Sequence, residues 1–464
     1  MNNLPAGWAL TTMGEICDIV SGSTPRTADP TNWDGAIPWI TPDDLSGSTR
    51  KFIERGRRSL TEKGYRSCST RLVPAGTVLY TSRAPIGYVA IAAQPVCTNQ
   101  GFKNFVPPDG VISDYVYWYL KHATPEVRSL GSGTTFLEIS KQRAASIPIP
   151  IPPTAEQRRI VAAIEEQFSR IDAGVEALQR ARRNLQRMRA AVLQAAVTGH
   201  LISQNPDDEP AERFLEKLRI KPVTGPELPI GWCWVRLGDV ASIGSGATPL
   251  RSRRDYYGGG TIPWVTSTML NAEFISKPSR FITEKALRET SVRLWPAGTL
   301  LVAMYGEGQT RGKCSELLFE STTNQACAAI VLEGAASTLR PFIKLHFAAN
   351  YESNRRLAVG GVQPNLSLGL IKSQLIALPP LSEQRRIIEE VDRLLSIVHA
   401  LDDVLTRNHA KAGSFRRAIL SCAFSGRLVP QDPSDEPASV LLDRIRSDRD
   451  GGKLLALPQR RSCR

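Results

Sequence analysis

The chain has 464 residues, with 58 Lys and Arg against 45 Asp and Glu, a formal net charge of +13, and 42% hydrophobic and 22% charged residues. That length is too great for one ordinary core and fits two domains plus connecting structure, and the apolar share excludes a wholly disordered chain. The basic surplus favours a polyanionic partner, since neutralising phosphates releases counterions. The eight cysteines form no Cys-x-x-Cys pair, so neither a zinc cluster nor a disulfide framework is expected; reduced thiols in a cytoplasm are. The opening residues lack the charged and apolar regions of a signal peptide, and no run of about 18 apolar residues occurs, so no membrane span is expected.

Residues 1–153 read as a first recognition domain. Short apolar runs punctuated by Gly and Pro, such as 77–80 and 87–91, suit strands of a mixed, mostly β domain, and a helix is predicted over 113–121. The polar loops supply the candidate contacts: Ser23, Thr24 and Arg26; Ser82 and Arg83; Thr134 and Thr135. Residues 154–226 read as a helical spacer and linker. Thr154 follows Pro152-Pro153 at an N-cap position, with Gln157 placed to complete a capping box. No proline recurs until Pro206 and Gly199 marks the stop, giving a helix of roughly 40 residues, or about 60 Å at 1.5 Å per residue. Ile164, Ile171, Leu178, Leu185 and Val192 recur at heptad spacing, the pattern of a seam buried against another helix. The flanking Arg180, Arg182, Arg183, Arg187 and Arg189 either solvate that coil or meet DNA phosphates or an acidic partner.

Residues 227–380 read as a second recognition domain, with a strand over 326–331 and a helix over 341–350. Its candidate contacts are Thr248, Arg251, Arg253 and Arg254; Gln309 and Arg311; Gln363 and Asn365. Arginine can fork onto guanine, and Gln or Asn onto adenine, whereas Ser and Thr more often hold phosphates. Residues 381–430 read as a distal helical spacer. Ser382 stands at its cap, Val391, Val398, Leu405, Ala412 and Ile419 form the heptad line, Leu394, Leu401 and Phe415 fill the intervening position, and Gly426 marks the stop. Residues 431–464 read as a tail, disordered toward its basic end. Trp8, Trp39, Trp232 and Trp264 recur in both halves and are expected in the cores.

The chain is written twice. Leu4-Pro5-Ala6-Gly7-Trp8 returns as Leu228-Pro229-Ile230-Gly231-Trp232, and Ser21-Gly22-Ser23-Thr24-Pro25 as Ser245-Gly246-Ala247-Thr248-Pro249. Thr98-Asn99-Gln100 returns as Thr323-Asn324-Gln325. Pro152-Pro153-Thr154-Ala155-Glu156-Gln157-Arg158-Arg159 returns as Pro379-Pro380-Leu381-Ser382-Glu383-Gln384-Arg385-Arg386, and Asp208-Glu209-Pro210 as Asp435-Glu436-Pro437. Similarity of the helical segments suggests one kind of partner surface; divergence of the globular blocks suggests two versions of one task. Glu156, Gln157, Arg158, Glu383, Gln384 and Arg385 are therefore candidates either for partner docking or for a helix-start motif.

Motifs for catalysis are missing. No Asn/Asp-Pro-Pro-aromatic run of an adenine methyltransferase occurs, no Gly-x-Gly-x-x-Gly after a strand, no Walker-type loop, and no Asp/Glu-x-Lys. The five histidines are isolated, so no catalytic or metal residues are assigned.

With its Leu-Pro-x-Gly-Trp openings, Gly-x-Thr-Pro loops, Pro-Pro-x-x-Glu-Gln helix starts and Gly-x-Leu exits, the chain resembles the specificity (S) subunit of type I restriction–modification enzymes over nearly its whole length. The resemblance implies an α+β fold: two mixed, mostly β target recognition domains separated by a long antiparallel helix pair, a coiled coil, in a pseudo-twofold internal repeat. It implies a non-catalytic, cytoplasmic subunit that recognises an asymmetric bipartite site in double-stranded DNA. Each half would dock one of two methylation subunits, and restriction subunits would join. No cofactor is expected on this chain; S-adenosylmethionine, ATP and Mg belong to the partner subunits. The alternative is a DNA-recognition subunit of a methylation-only or other phage-defence system.

Overall fold

The structure, a computed structural model, describes residues 4–83, 85–129, 138–305, 310–357 and 366–451. The fold is α+β with an internal repeat. It comprises two compact units, one of Met1–Leu178 with Arg407–Arg464 and one of Gln179–Thr406. The units cut across the blocks read from the sequence, because each long helix contributes one part to each unit.

In the first unit a five-stranded sheet runs Asp18–Ser21, Phe102–Val106, Val78–Thr81, Val89–Ala92, Phe52–Ile53. A three-stranded sheet runs Arg58–Leu60, Trp33–Ile40, Cys97–Thr98, and the pair Ala9–Thr12 with Pro148–Ile151 closes the block. The central strands are buried on both faces, which is why they read as continuous apolar runs. One face packs under the helix Ser113–Ser129, which extends past the predicted 121 and carries Tyr115, Trp118, Tyr119 and Leu120 into the core. Edge-to-face contacts of Tyr115 and Tyr119 with Phe424, at 5.4 and 5.1 Å between ring centres, bind the end of the second long helix to this block.

The second unit repeats the plan. Its five-stranded sheet runs Ser242–Ser245, Cys327–Val331, Leu300–Ala303, Cys314–Leu317, Phe274–Ile275. The second sheet gains a fourth strand, Leu294–Trp295, and the closing pair is Cys233–Arg236 with Leu375–Leu378. The predicted helix over 341–350 is Arg340–Ala349.

The long helices are Thr154–Val197 and Leu381–Phe424. They run antiparallel within each unit. In the first, Arg159 pairs with Asp435 at 2.6 Å and Asp172 with Arg416; in the second, Arg182 pairs with Asp402 at 3.0 Å and Asp208 with Arg386 at 2.6 Å. The heptad line is buried at Ile164, Val192, Val391, Val398 and Ala412 and half-buried at Ile171, Leu178, Leu185, Leu405 and Ile419. Leu401 and Phe415, expected in the seam, are 46% and 56% exposed. A two-helix contact covers only a narrow stripe, and the neighbouring position turns outward where no sheet or helix covers it.

The capping box at Thr154 is corrected. The helices begin at Thr154 and Leu381, and the Pro153 and Pro380 carbonyls accept from the Gln157 and Gln384 amides at 2.9 and 2.8 Å. Thr154 Oγ1 donates to the Gly110 carbonyl instead, and Gln157 donates to the Pro152 carbonyl while accepting from the Ile112 amide. The glycine stops hold. Gly199 and Gly426 have φ of +76° and +70°, and the His200 and Arg427 amides reach back to Ala195 and Cys422, the Schellman closure.

The repeated motifs meet at one junction in each unit. Glu156, 1% exposed, accepts from Trp8 Nε1 at 3.0 Å and Gln431 Nε2 at 3.2 Å. Glu383, equally buried, accepts from Trp232 Nε1 at 3.1 Å and Gln204 Nε2 at 3.3 Å. Gly426 packs on Pro5 and Trp8, and Gly199 on Pro229 and Trp232, so close that a Cβ would collide with Pro5 or Pro229. The Gly7 and Gly231 carbonyls accept from the Ala438 and Ala211 amides at 2.9 and 2.8 Å, docking the helices Ala438–Asp450 and Ala211–Lys217. Residues 438–450, read as part of a tail, are thus a helix whose Leu441, Leu442 and Ile445 enter the first unit's core. Among the described residues no helix is long and apolar enough to cross a membrane.

Burial pushes the Glu383 carboxyl above its usual range, with Arg386 and the two donors opposing. A raised folded value means stability that is full below the unfolded pKa, about 4.3, and is lost as pH rises through the folded one. Urea unfolding across pH 4–8 is expected to show the wild type losing stability relative to Glu383→Gln over that window, with a constant difference above it.

Candidate nucleic-acid interface

One loop edge in each head gathers the polar residues singled out from the sequence. In the first, the Ser23 amide donates to the Thr98 carbonyl at 3.0 Å, Thr24 Oγ1 donates to Gln100 Oε1, and Trp39 Nε1 donates to the Ser23 carbonyl at 3.1 Å. In the second, the Ala247 amide donates to Thr323 at 2.9 Å, Thr248 Oγ1 to Gln325 Oε1, and Trp264 Nε1 to Ala247 at 3.3 Å. The motif glycine makes this docking possible. A Cβ on Gly22 would stand 2.0 Å from the Asn99 carbonyl oxygen, and on Gly246 1.9 Å from that of Thr323.

A further strand end joins each edge. The Ser82 amide donates to the Gly101 carbonyl at 2.7 Å, and the Ile139 amide to the Ser82 carbonyl at 3.0 Å. In the second head the Met304 amide donates to the Ala326 carbonyl at 2.8 Å, and the Leu366 amide to the Met304 carbonyl at 3.2 Å. The structure therefore brings together Ser23, Thr24, Ser82 and Arg83 in the first head, and sets Thr248 beside Gln325 in the second.

The remaining candidates sort unequally. Arg26, Arg251 and Arg254 are exposed. Arg253 is held by Asp255 at 2.7 Å and lies over the Tyr256 ring at 4.5 Å, and Lys285 joins the same carboxylate at 2.9 Å. Those cations hold the Asp255 carboxyl far below the usual range. Arg253 is thus committed to its own surface network. Arg311 is half-buried beside Gly312. Thr134, Thr135, Gln309, Gln363 and Asn365 lie outside the described residues. Glu156, Gln157, Glu383 and Gln384 point inward at the junctions, whereas Arg158 and Arg385 are exposed.

The sequence reading passed over Gln100 and Gln325, although their repetition marked them, and over Lys103 and Glu138, which no repetition marks. Lys103 is 5% exposed, with Nζ 3.3 Å from Ser82 Oγ and 3.6 Å from the Glu138 carboxylate, which also faces Arg83 at 3.6 Å. Desolvation lowers the Lys103 pKa against the pull of Glu138. Among the described residues no group of His, Cys, Asp and Glu side chains is placed to hold a metal ion.

Two copies of one frame, alike at the junction and in the Thr–Gln pair of the loop edge and unlike in the side chains around that pair, define a duplicated chain. The family model for the type I restriction modification DNA specificity domain matches residues 5–178 and 229–407. The type I restriction enzyme MjaIX specificity subunit of Methanocaldococcus jannaschii is 32% identical over 71% of this chain and 73% of its own length. The EcoKI specificity subunit of Escherichia coli K12 is 23% identical over 97% of both chains. Among solved structures, a chain from a study of complex assembly and conformational transition of the type I R-M system covers 92% of this chain and 100% of its own, with TM-score 0.66 and 20% identity. The HsdS subunit of Thermoanaerobacter tengcongensis covers 92% and 98%, with TM-score 0.59 and 20% identity. The chain belongs to the type I restriction–modification DNA specificity family. It is a non-catalytic specificity subunit, of the kind that recognises DNA and works with methylation and restriction subunits.

Alanine at Gly22 or Gly246 is expected to force the loop off its Thr-Asn-Gln partner at a cost of about 1–3 kcal/mol, read as a lowered urea midpoint with an unchanged m-value.

Proposed function

We propose that the two heads read the two unlike halves of an asymmetric, bipartite DNA site, and that the helices dock two copies of one methylation subunit, with restriction subunits joining that complex. The carrying observation is the contrast between frame and edge. The Thr24–Gln100 and Thr248–Gln325 pairs are the same in both heads and suit contacts that do not depend on sequence. Around them the side chains that reach solvent diverge, Arg83 against Tyr305, over the buried Ser82 and Met304, and unlike side chains in one frame suit unlike base edges. Docking of a duplicated partner is favoured by Met188 and Phe415. They stand at the same place counted from the start of their helices and are 47% and 56% exposed. Large apolar side chains at equivalent exposed positions suit two identical partner surfaces. A role in a methylation-only system would use the same contacts.

Replacing residues 1–153 by the matching block of another specificity subunit should change one half of the methylated motif and leave the other half and the gap intact, as read by mapping modified adenines genome-wide. Met188→Glu and Phe415→Glu should each remove one methylation subunit from the assembly in native mass spectrometry, and the double variant both.

A further inference from the structure

We infer that Arg83 is a base-reading residue of the first head, held in position by Glu138 and Lys103, and that the base it reads is guanine. The inference rests on the reading of residues 1–153 as a DNA-recognising block and goes on to assign its specificity.

Lys103 lies on the strand Phe102–Val106, opposite Ser21 on one side and Tyr80 on the other, and all five residues of that strand are buried. The register-equivalent position of the second head is Ala328, opposite Ser245 and Val302. The frame therefore closes without an ionic group, and an apolar residue there is the less costly choice, because burying a charge forfeits several kcal/mol of hydration. The first head nevertheless keeps a buried ammonium, a hydroxyl and a carboxylate where the second keeps Ala328 and Met304. A desolvated ionisable group that the fold does not require, clustered with the partly exposed Arg83, points to a working site.

The geometry states the work. Glu138 faces two cations, so the cluster carries a net positive charge. Both separations are 3.6 Å, longer than the 2.7–2.9 Å of a direct charge-assisted bond. Lys103 is fixed by burial and by Ser82. Arg83 is not: about a third of its side chain is exposed, at the strand end that meets the loop carrying Gln100 and, through it, Thr24. A guanidinium oriented from behind by a carboxylate, with donors left toward solvent, suits the paired O6 and N7 acceptors of guanine in the major groove. Glu138 and Lys103 are positioning residues. The acid sets the fork, and the lysine holds the acid in place.

The test is selection from randomised duplex DNA by the full-length chain assembled with its methylation subunits, with the half-site of the first head assigned beforehand by the block exchange described above. Arg83→Gln, a change at a partly exposed position, should lower the preference for guanine at one base pair of that half by about 10- to 100-fold and leave the other half unchanged. Glu138→Gln should relax the same base pair with the arginine still present, which a merely structural acid would not do. If the wild type selects a split motif and Arg83→Gln weakens all sequences alike, or lowers thermal stability with the motif intact, the assignment to Arg83 falls while the two-head reading stands. If the wild type selects no split motif, the two-head reading falls first.

Discussion

A carboxylate almost shut off from water stands at the start of each long helix, and the rest of the architecture is arranged to satisfy it. Glu156 and Glu383 each accept a tryptophan N–H from the opening of a head and an amide N–H from the segment that follows a helix end. A buried acceptor of this kind is expensive to leave unmatched. Its two donors come from parts of the chain far apart in sequence, so satisfying it joins head, helix start and helix exit in one step. The glycine stops, the opening Pro and Trp, and the Asp-Glu-Pro segments pack around it, and the Arg159–Asp435 and Arg386–Asp208 pairs close the rim.

This gives the repeated motifs a physical meaning distinct from recognition. The repeated openings, helix starts and helix exits build the junction and hold the heads. On the proposed function, reading falls to the loop edges, where one frame presents different chemistry. The buried Lys103 of the first head and the apolar Ala328 of the second show how far side chains can diverge on a shared backbone plan. Such divergence is tolerated because the frame's own bonds at the edge are largely backbone bonds, from Ser23 to Thr98 and from Ala247 to Thr323, which do not depend on the neighbouring side chains.

Much of this was legible in the sequence where a signal was long or repeated. The duplication, the length of both helices and their glycine stops follow from patterns sustained over many residues. Shorter inferences failed where tertiary partners outbid local ones. Gln157 stands at capping-box spacing from Thr154, yet its amide goes to Pro152 and Ile112 because the head supplies nearer partners. Leu401 and Phe415 fit the heptad but face outward. The helix Ala438–Asp450 was hidden in a charged segment whose apolar Leu441, Leu442 and Ile445 make only a short stripe. At the candidate interface the loops were found by their polarity. Arg253 looked available only because its pairing with Asp255 is a matter of geometry. Lys103 was missed because a lysine beside Asn104 in a strand reads as part of a wet face, and here all five residues are buried.

The most direct test of this account is hydrogen exchange on Trp232→Phe, which keeps an aromatic ring and removes one of the two donors to Glu383. Faster exchange is predicted in residues 208–217, 229–235 and 381–390, with the matching segments of the first unit, 7–12, 154–164 and 435–445, as protected as before. Protection unchanged everywhere, or lost equally in both sets, would contradict the claim that each head is held by its own copy of one buried carboxylate clip.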